Sequence, residues 1–382
     1  MLFVDIIYLI AIGIYLFYTL LMIYSFMREL NNHYPEPDIH TLPPVSILKP
    51  LKGLDDQLEQ NLRSFFQLDY PKFEILFGIS DGNDPAVKIV RELQRAYPNV
   101  STKLIIDNTR IGLNPKINNL FNIQAFAKYS HILISDSNVR VHSGYLTSMM
   151  KYLNLPGTGL VTSSIRGVGA KSLGAIFENL HLNSFITPSV YAVRKAINLP
   201  ISIGKSMLLR SETLSQIGGF YHFRNVLAED HLIGQSVREL GLETQTSPDA
   251  INNVNQYWSI KKFINRHLRW GQMRRNINEF YYMIELFSHP FFLSIVYLLI
   301  RQDVFALLAL GVVLLLKISL DLMLNLLIGS DGRWYHYFLI PVKDLIVAFV
   351  WFIPYFNRTV NWRGNVYKIE KNTYLIPQMK GA

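Results

Sequence analysis

A chain of 382 residues with a formal net charge of +9 and no cysteine excludes disulfide scaffolds and thiolate metal sites, and nothing in it points to an oxidising compartment. Half of its residues are hydrophobic, a high share for a soluble protein, so membrane segments are expected. They fall at the two ends, around a central block large enough for its own core, and the basic balance points to anionic lipid or an anionic substrate, with no nucleic acid partner.

The first element is the apolar run 3–25. At ~1.5 Å per residue such a run spans a ~30 Å hydrocarbon layer. It has no basic region before it and no small-residue cleavage site, and it reads as an uncleaved anchor. Asp5 stands at the start of the run and Arg28 follows it, which by the positive-inside rule puts the following domain in the cytosol. A polar, proline-bearing linker extends to residue 43.

From residue 45 strand-like and helical runs alternate: strands at 45–48, 73–80, 103–106 and 131–135, helices at 56–68, 85–97, 116–128 and 144–153. Alternation of this kind predicts parallel strands with right-handed crossovers, an α/β Rossmann-like domain that binds ligands at the carboxyl ends of its strands. Past residue 157 the pattern loosens, and it ends in a basic amphipathic stretch at 257–276 that fits a membrane interface. Apolar runs at 283–300, 304–328 and 335–356 follow. The first is broken by Ser288, His289 and Pro290. Three spans would put the basic tail, with Arg358, Arg363, Lys368 and Lys371, on the outer side, whereas two spans and one re-entrant segment would not. Lys317 and Asp321 are four apart and face one another on a helix; Lys343 and Asp344 sit in the third run. These charges either line a path for a polar lipid head group or form structural interhelical pairs. The expected organisation is an anchor at 1–27, a linker at 28–43, a domain at 44–280, membrane helices at 281–357 and a basic tail at 358–382.

The chemistry-bearing residues lie mostly at strand ends. Asp81 follows the second strand and can accept hydrogen bonds from a nucleoside; the same Asp-Gly pair is also an ordinary turn. Asp136 ends the strand 131–135 in Ile-Ser-Asp-Ser-Asn, where Asp136 and Asn138 offer hard oxygen ligands to Mg2+ or Mn2+ bridging the diphosphate of a sugar nucleotide. Lys116, opening a helix after Asn114-Pro115, adds an anion site, or is simply helix initiation. Glu229 and Asp230 open another helix; they suit a general base for an acceptor hydroxyl, and equally helix capping. In Arg266-His-Leu-Arg269-Trp270 the arginine forks suit phosphate oxygens and Trp270 an apolar wall.

Taken in order and spacing, Ser46-Ile-Leu-Lys49-Pro-Leu-Lys-Gly53, Phe65-Phe-Gln-Leu-Asp-Tyr-Pro71, Asn114-Pro-Lys-Ile-Asn-Asn-Leu120, Asp136-Ser-Asn-Val-Arg140, Ala228-Glu-Asp230 and Arg266-x-x-Arg-Trp270 resemble the ceramide glucosyltransferase family, over about residues 44 to 275. The resemblance implies a GT-A fold and inverting transfer of one sugar from a UDP-sugar to a lipid hydroxyl. It assigns Asp230, Glu229, Arg269 and Trp270 to catalysis, Lys49, Asp81, Lys116, Asp136, Asn138 and Arg266 to the donor, and Asp136 with Asn138 to the metal. One departure is Thr187-Pro188, where animal members have histidine before the proline. UDP-glucose to ceramide is the first expectation, and glucose or N-acetylglucosamine transfer to a hopanoid or diacylglycerol the second. A processive polysaccharide synthase would need more membrane helices, and a non-catalytic lipid-binding protein has no chemical use for the acidic set. The expected location is a membrane with the domain cytosolic, the bacterial inner membrane or, in a eukaryote, the endoplasmic reticulum or Golgi.

Overall fold

The computed structural model describes residues 2–32, 34–199, 201–362 and 365–377. His33 of the expected linker, and Arg363, Gly364 and residues 378–382 of the expected tail, lie outside them. Two compact units form: Asn32–Ile165 with Ile197–Val254, and Met1–Asn31 with Arg166–Ala196 and Asn255–Ala382. Within the second of these, Leu173–His181 and Ile260–Ile277 are helices that pack with the helices near the C-terminus.

The first unit is built on strands β1 (Val45–Pro50), β2 (Phe73–Ile79), β3 (Ser101–Ile106), β4 (His131–Ser135), β5 (Val139–Arg140), β6 (Thr158–Val168), β7 (Ser206–Arg210) and β8 (Glu243–Val254), in the sheet order β3-β2-β1-β4-β7-β6-β8-β5. β1, β2, β3 and β4 run parallel, as the alternation predicts, while β7 pairs antiparallel with both β4 and β6. The near-continuous apolar composition of β1, β2 and β4 reflects burial on both faces, the usual state of parallel strands. Helix Pro115–Gln124 packs tightly over β2: a side chain at Gly78 would stand 2.6 Å from Ile123 Cγ2, so only glycine admits this approach. Ile117, Leu120 and Ile123 join Leu48, Leu76, Ile134 and Leu209 in one core, which fixes the strand ends that carry the site.

In the other unit three helices are long and apolar enough to cross a membrane: Leu2–Leu30, Val304–Leu327 and Trp334–Tyr355. A further pair, Glu279–Ser288 and Pro290–Arg301, bends by 73° at His289-Pro290, where proline removes a helical hydrogen bond. Contacts order the bundle. At one end Arg301 binds the Asp5 carboxylate at 2.8 Å and Tyr8 stacks on Tyr297 at 4.0 Å. At the other Met22 and Ile23 pack with Ala192 and Leu324, and Phe26 meets Tyr191. Residues 334–355 begin and end away from the Asp5 end: Tyr337 packs on Leu180, and Trp351 stacks on Tyr282.

Between these ends the charges are paired. Lys317 meets Asp321 at 2.9 Å as their spacing predicts, but Lys343 and Asp344 pair elsewhere, with Asp321 at 3.5 Å and His289 at 3.2 Å. The run before Thr187-Pro188 is a π-helix, Leu182–Ile186, a widened turn that relieves the clash of Pro188 with the preceding turn. In the tail Thr359–Trp362, Asn365–Ile369 and Leu375–Pro377 form a three-stranded antiparallel sheet, which its charges did not announce.

Candidate active site

The acidic residues of the first unit gather around one lysine. Lys116 lies on the first turn of the helix Pro115–Gln124, capped by Asn114, whose Oδ1 accepts the N–H groups of Lys116 and Ile117 at 2.9 and 3.1 Å. Its ammonium stands 3.0 Å from Asp136 Oδ1 and 3.0 Å from Glu229 Oε1, and donates to the carbonyl of Gly204 at 2.9 Å. Asn114 Nδ2 closes the ring from behind, donating to Val226 O at 2.7 Å and Glu229 Oε2 at 3.2 Å. Residues 114–116 and 226–230, more than a hundred positions apart, are thereby locked together.

Asp230 is held differently from Glu229. Its two oxygens accept backbone N–H groups, Oδ2 from Gly204 at 2.8 Å and Oδ1 from His231 at 2.8 Å. Burial raises the pKa of Asp230, against the pull of Lys116; Glu229 is raised by the same burial. At Asp136 burial would also raise the pKa, but Lys116 and Lys205 outweigh it and hold the carboxyl well below the usual range. The same carboxylates outweigh burial at Lys116 and hold its ammonium well above the ordinary lysine value. The site therefore contains one carboxylate kept ionised and two that burial drives toward the neutral form, a separation typical of acid–base sites.

A second lysine was not anticipated. Lys205 binds Asp136 Oδ2 at 3.2 Å and Asn138 Oδ1 at 2.6 Å, so oxygens of both expected metal ligands converge on one cation. The antiparallel pairing of Ser135 with Ser206 brings it there, and the only sequence signal was a Gly-Lys-Ser triplet in an apolar stretch. Asn138 Nδ2 is fixed by Asn253 Oδ1 at 2.9 Å. Among the described residues no three histidine, aspartate or glutamate side chains group as a metal site. The donor set is instead a carboxylate and an amide oxygen, hard ligands of the kind that would hold Mg2+ or Mn2+.

Other expected site residues are placed apart. Lys49 is wholly buried in β1; its ammonium donates to Asp136 O at 2.8 Å and Ser135 Oγ at 3.2 Å and lies 3.6 Å from the Phe65 ring. Burial drives its pKa well below the lysine value, and its contacts support the Asp136 turn instead of facing a ligand. Asp81 is exposed at the end of β2, accepting the Asn83 N–H at 2.9 Å. β1 lies between β2 and β4, which at ~4.8 Å per strand separates Asp81 from Asp136 by roughly 10 Å. Arg266, Arg269 and Trp270 belong to the other unit, on the helix Ile260–Ile277. There the Arg266 guanidinium lies 4.2 Å from the Trp270 ring and 5.1 Å from that of Trp258, and its Nε is 3.2 Å from Glu178, which is also met by His267 at 3.0 Å. Arg269 is partly buried on the same helix.

Gly204 touches both halves of the site. A Cβ there would stand 2.7 Å from Asp230 Oδ2 and 3.0 Å from Asp230 Cβ. Gly204→Ala is expected to displace the Asp230 carboxylate and cost about 1–3 kcal/mol by overpacking. Thermal unfolding of the detergent-solubilised variant reads that loss, and an unchanged transition would refute the tight approach.

Comparison with known proteins adds the context. The model of the family described as Glycosyl transferase family 21 matches residues 4–375. Ceramide glucosyltransferase 3 of Caenorhabditis elegans is 27% identical over 372 residues, 95% of this chain and 80% of that protein. Ceramide glucosyltransferase 1 of the same organism is 30% identical over 265 residues, 68% of this chain and 55% of the relative. Among solved structures, the mannosyltransferase PcManGT from Pyrobaculum calidifontis, in complex with GDP-Man and Mn2+, has a TM-score of 0.51 at 17% identity, covering 91% of this chain and 98% of its own. At that identity the likeness is one of fold: the mixed sheet is of the GT-A type.

Proposed function

The chain belongs to glycosyl transferase family 21, and from that premise we propose that it transfers one hexose from a UDP-sugar to the primary hydroxyl of ceramide, with inversion, at a membrane surface. The observation that carries the chemistry is Asp230: a part-buried carboxyl with a raised pKa, oriented by two backbone N–H groups, joined through Lys116 and Gly204 to an ionised Asp136. The identity of the acceptor is supported by relatives named ceramide glucosyltransferase along most of the chain.

In this reading Asp230 takes the proton of the acceptor hydroxyl, and the oxygen attacks C1 of the sugar from the face opposite UDP. The C1–O bond to the diphosphate breaks, and negative charge builds on the leaving UDP. Lys116 and Lys205, both beside Asp136, supply positive charge against it. Glu229 holds Lys116 in place. Asp136 and Asn138 would hold Mg2+ or Mn2+, which when bound supplies further charge compensation on the diphosphate. Asp81 meets the nucleotide, Lys49 braces the Asp136 turn, and Arg266, Arg269 and Trp270 keep the donor and acceptor clamp that the family resemblance gives them. The proposed organisation is a cytosolic catalytic unit, held to the membrane by the N-terminal helix and the helices from 279 onward, with UDP-sugar, lipid acceptor and bilayer as its partners.

The test is mass spectrometry of lipids from ceramide-containing cells expressing the chain. A new hexosylceramide is expected, and in membranes from those cells its synthesis from UDP-glucose should stop on EDTA treatment and return with Mn2+ or Mg2+. A hexosylated hopanoid or diacylglycerol with ceramide untouched would replace the acceptor, and no glycolipid at all would refute the assignment.

A further inference from the structure

Three ammonium groups crowd the turn after β4, all within the first unit. Lys116 stands 3.0 Å from Asp136 Oδ1, Lys205 stands 3.2 Å from Asp136 Oδ2, and Lys49 donates to the Asp136 carbonyl at 2.8 Å. Lys205 also donates to Asn138 Oδ1 at 2.6 Å. The two oxygens suited to Mg2+ or Mn2+, Asp136 Oδ2 and Asn138 Oδ1, are therefore the two that Lys205 binds. A divalent ion bridging them at about 2.1 Å from each has to enter the space where the ammonium stands. A single and a double positive charge cannot occupy that space together.

The oxygens are held where they are. Asn138 Nδ2 donates to Asn253 Oδ1 at 2.9 Å, which sets the end of the amide that faces Lys205. The Asp136 backbone is clamped on both sides, its N–H donating to the Lys205 carbonyl at 3.2 Å and its own carbonyl accepting Lys49. The chain around Lys205 is fixed as well: Gly204 N–H is bound by Asp230 at 2.8 Å, and Thr162 Oγ1 donates to the carbonyls of Ile203 and Ser206 at 3.0 Å each. What can move is a lysine side chain, a flexible four-carbon stem. Lys116 is tied to Glu229 and the Gly204 carbonyl besides Asp136, and Lys49 is wholly buried. Lys205, whose side chain keeps 14% of its surface exposed, is the one that yields.

We propose that Lys205 is a built-in competitor of the divalent metal: its ammonium holds Asp136 Oδ2 and Asn138 Oδ1 when no metal is bound, and leaves both when one binds. That Asp136 and Asn138 are metal ligands rests on the function proposed above; the competition rests on the shared oxygens. Lys205 thereby sets the metal affinity of the site. Binding of the ion alone is weak, because the charge-assisted hydrogen bonds of Lys205 have to be given up for it.

The experiment measures Mn2+ binding to the full chain in lipid nanodiscs, without UDP-sugar, from the paramagnetic resonance signal of the unbound ion. Lys205→Met removes the charge and keeps much of the side chain's bulk, and is expected to lower the Kd for Mn2+ about tenfold or more. Loss of a nearby positive charge also favours a cation from a distance, so the same change is made in an Asn138→Ala background. Shared oxygens predict that the gain there falls to about threefold or less. An equal gain in the two backgrounds overturns the competition, as does a Lys205→Met Kd no lower than that of wild type, or Mn2+ that binds neither protein. A second measurement needs no variant to fold. Acetylation of Lys205 in wild type, read by peptide mass spectrometry, should rise at saturating Mn2+ and fall back with EDTA; labelling that ignores Mn2+ overturns the proposal. Neither readout involves sugar transfer, so the two proposals fail separately. Tighter Mn2+ binding by Lys205→Met with no glycolipid in cells sinks the function and leaves the competition, and hexosylceramide made by a protein whose Mn2+ affinity ignores Lys205 does the reverse.

Discussion

Asp230→Asn should lower kcat by about 10²–10⁴-fold while UDP still binds with near wild-type affinity. The range is the usual contribution of a positioned general base, and the substitution removes the base without changing shape. Asn cannot accept a proton at either terminal atom, whereas the carboxylate it replaces is held with both oxygens under N–H groups of Gly204 and His231. One of those donors would then face an amide NH2, so a modest loss of stability accompanies the kinetic loss. The pH dependence carries the sign. Because burial raises the pKa of Asp230, the acid limb of kcat/KM should lie above the ordinary aspartate value of about 3.9, with activity rising as pH increases through it. Steady-state transfer kinetics from about pH 4 to 8 with titration calorimetry of UDP would measure both effects, and a variant retaining a tenth of wild-type kcat would remove Asp230 from the base role.

Lys116→Met should be the most damaging single change to the site. It takes away the ammonium shared by Asp136, Glu229 and the Gly204 carbonyl, and leaves one buried and one part-buried carboxylate without that partner. Breaking a buried pair by removing one member costs about 3–5 kcal/mol. In the wild type Asp136 has a depressed pKa, so its contribution is present above the unfolded value of about 3.9 and is lost as pH falls toward the folded one. In the variant burial acts unopposed by Lys116 on Glu229 and Asp230, and their folded pKa values rise further above the unfolded ones. Such groups favour the folded state below the unfolded pKa and weaken it as pH rises through the folded pKa. The variant should therefore be least stable at neutral pH and recover toward pH 5, the opposite trend to the one Asp136 gives the wild type. Thermal unfolding at pH 5 and pH 7.5 tests this, and equal deficits at both would mean that Lys116 does not neutralise the carboxylates.

Local pattern carried the sequence reading a long way. The apolar runs at 45–48 and 131–135 are strands, and 229–239 is a helix opening on its acidic pair, because burial on both faces and a charge-favoured first turn leave their mark within a few residues. Lys317 and Asp321 pair as their spacing requires, since four residues is one helical turn. Lys343 and Asp344, adjacent in sequence, point to different partners, because consecutive residues on a helix do not share a face.

The sequence by itself therefore determined the α/β class and the apolar helices, and it named four carboxylates, Asp81, Asp136, Glu229 and Asp230, of which Lys116 contacts Asp136 and Glu229. Only the tertiary structure decided that Lys205 reaches Asp136 from 69 positions away and that Lys49 is buried behind the site. The physical reason is range. Periodicity and capping are written into neighbouring residues, whereas the pairing of β4 with β7 and the packing of distant helices follow from the burial of the whole chain at once.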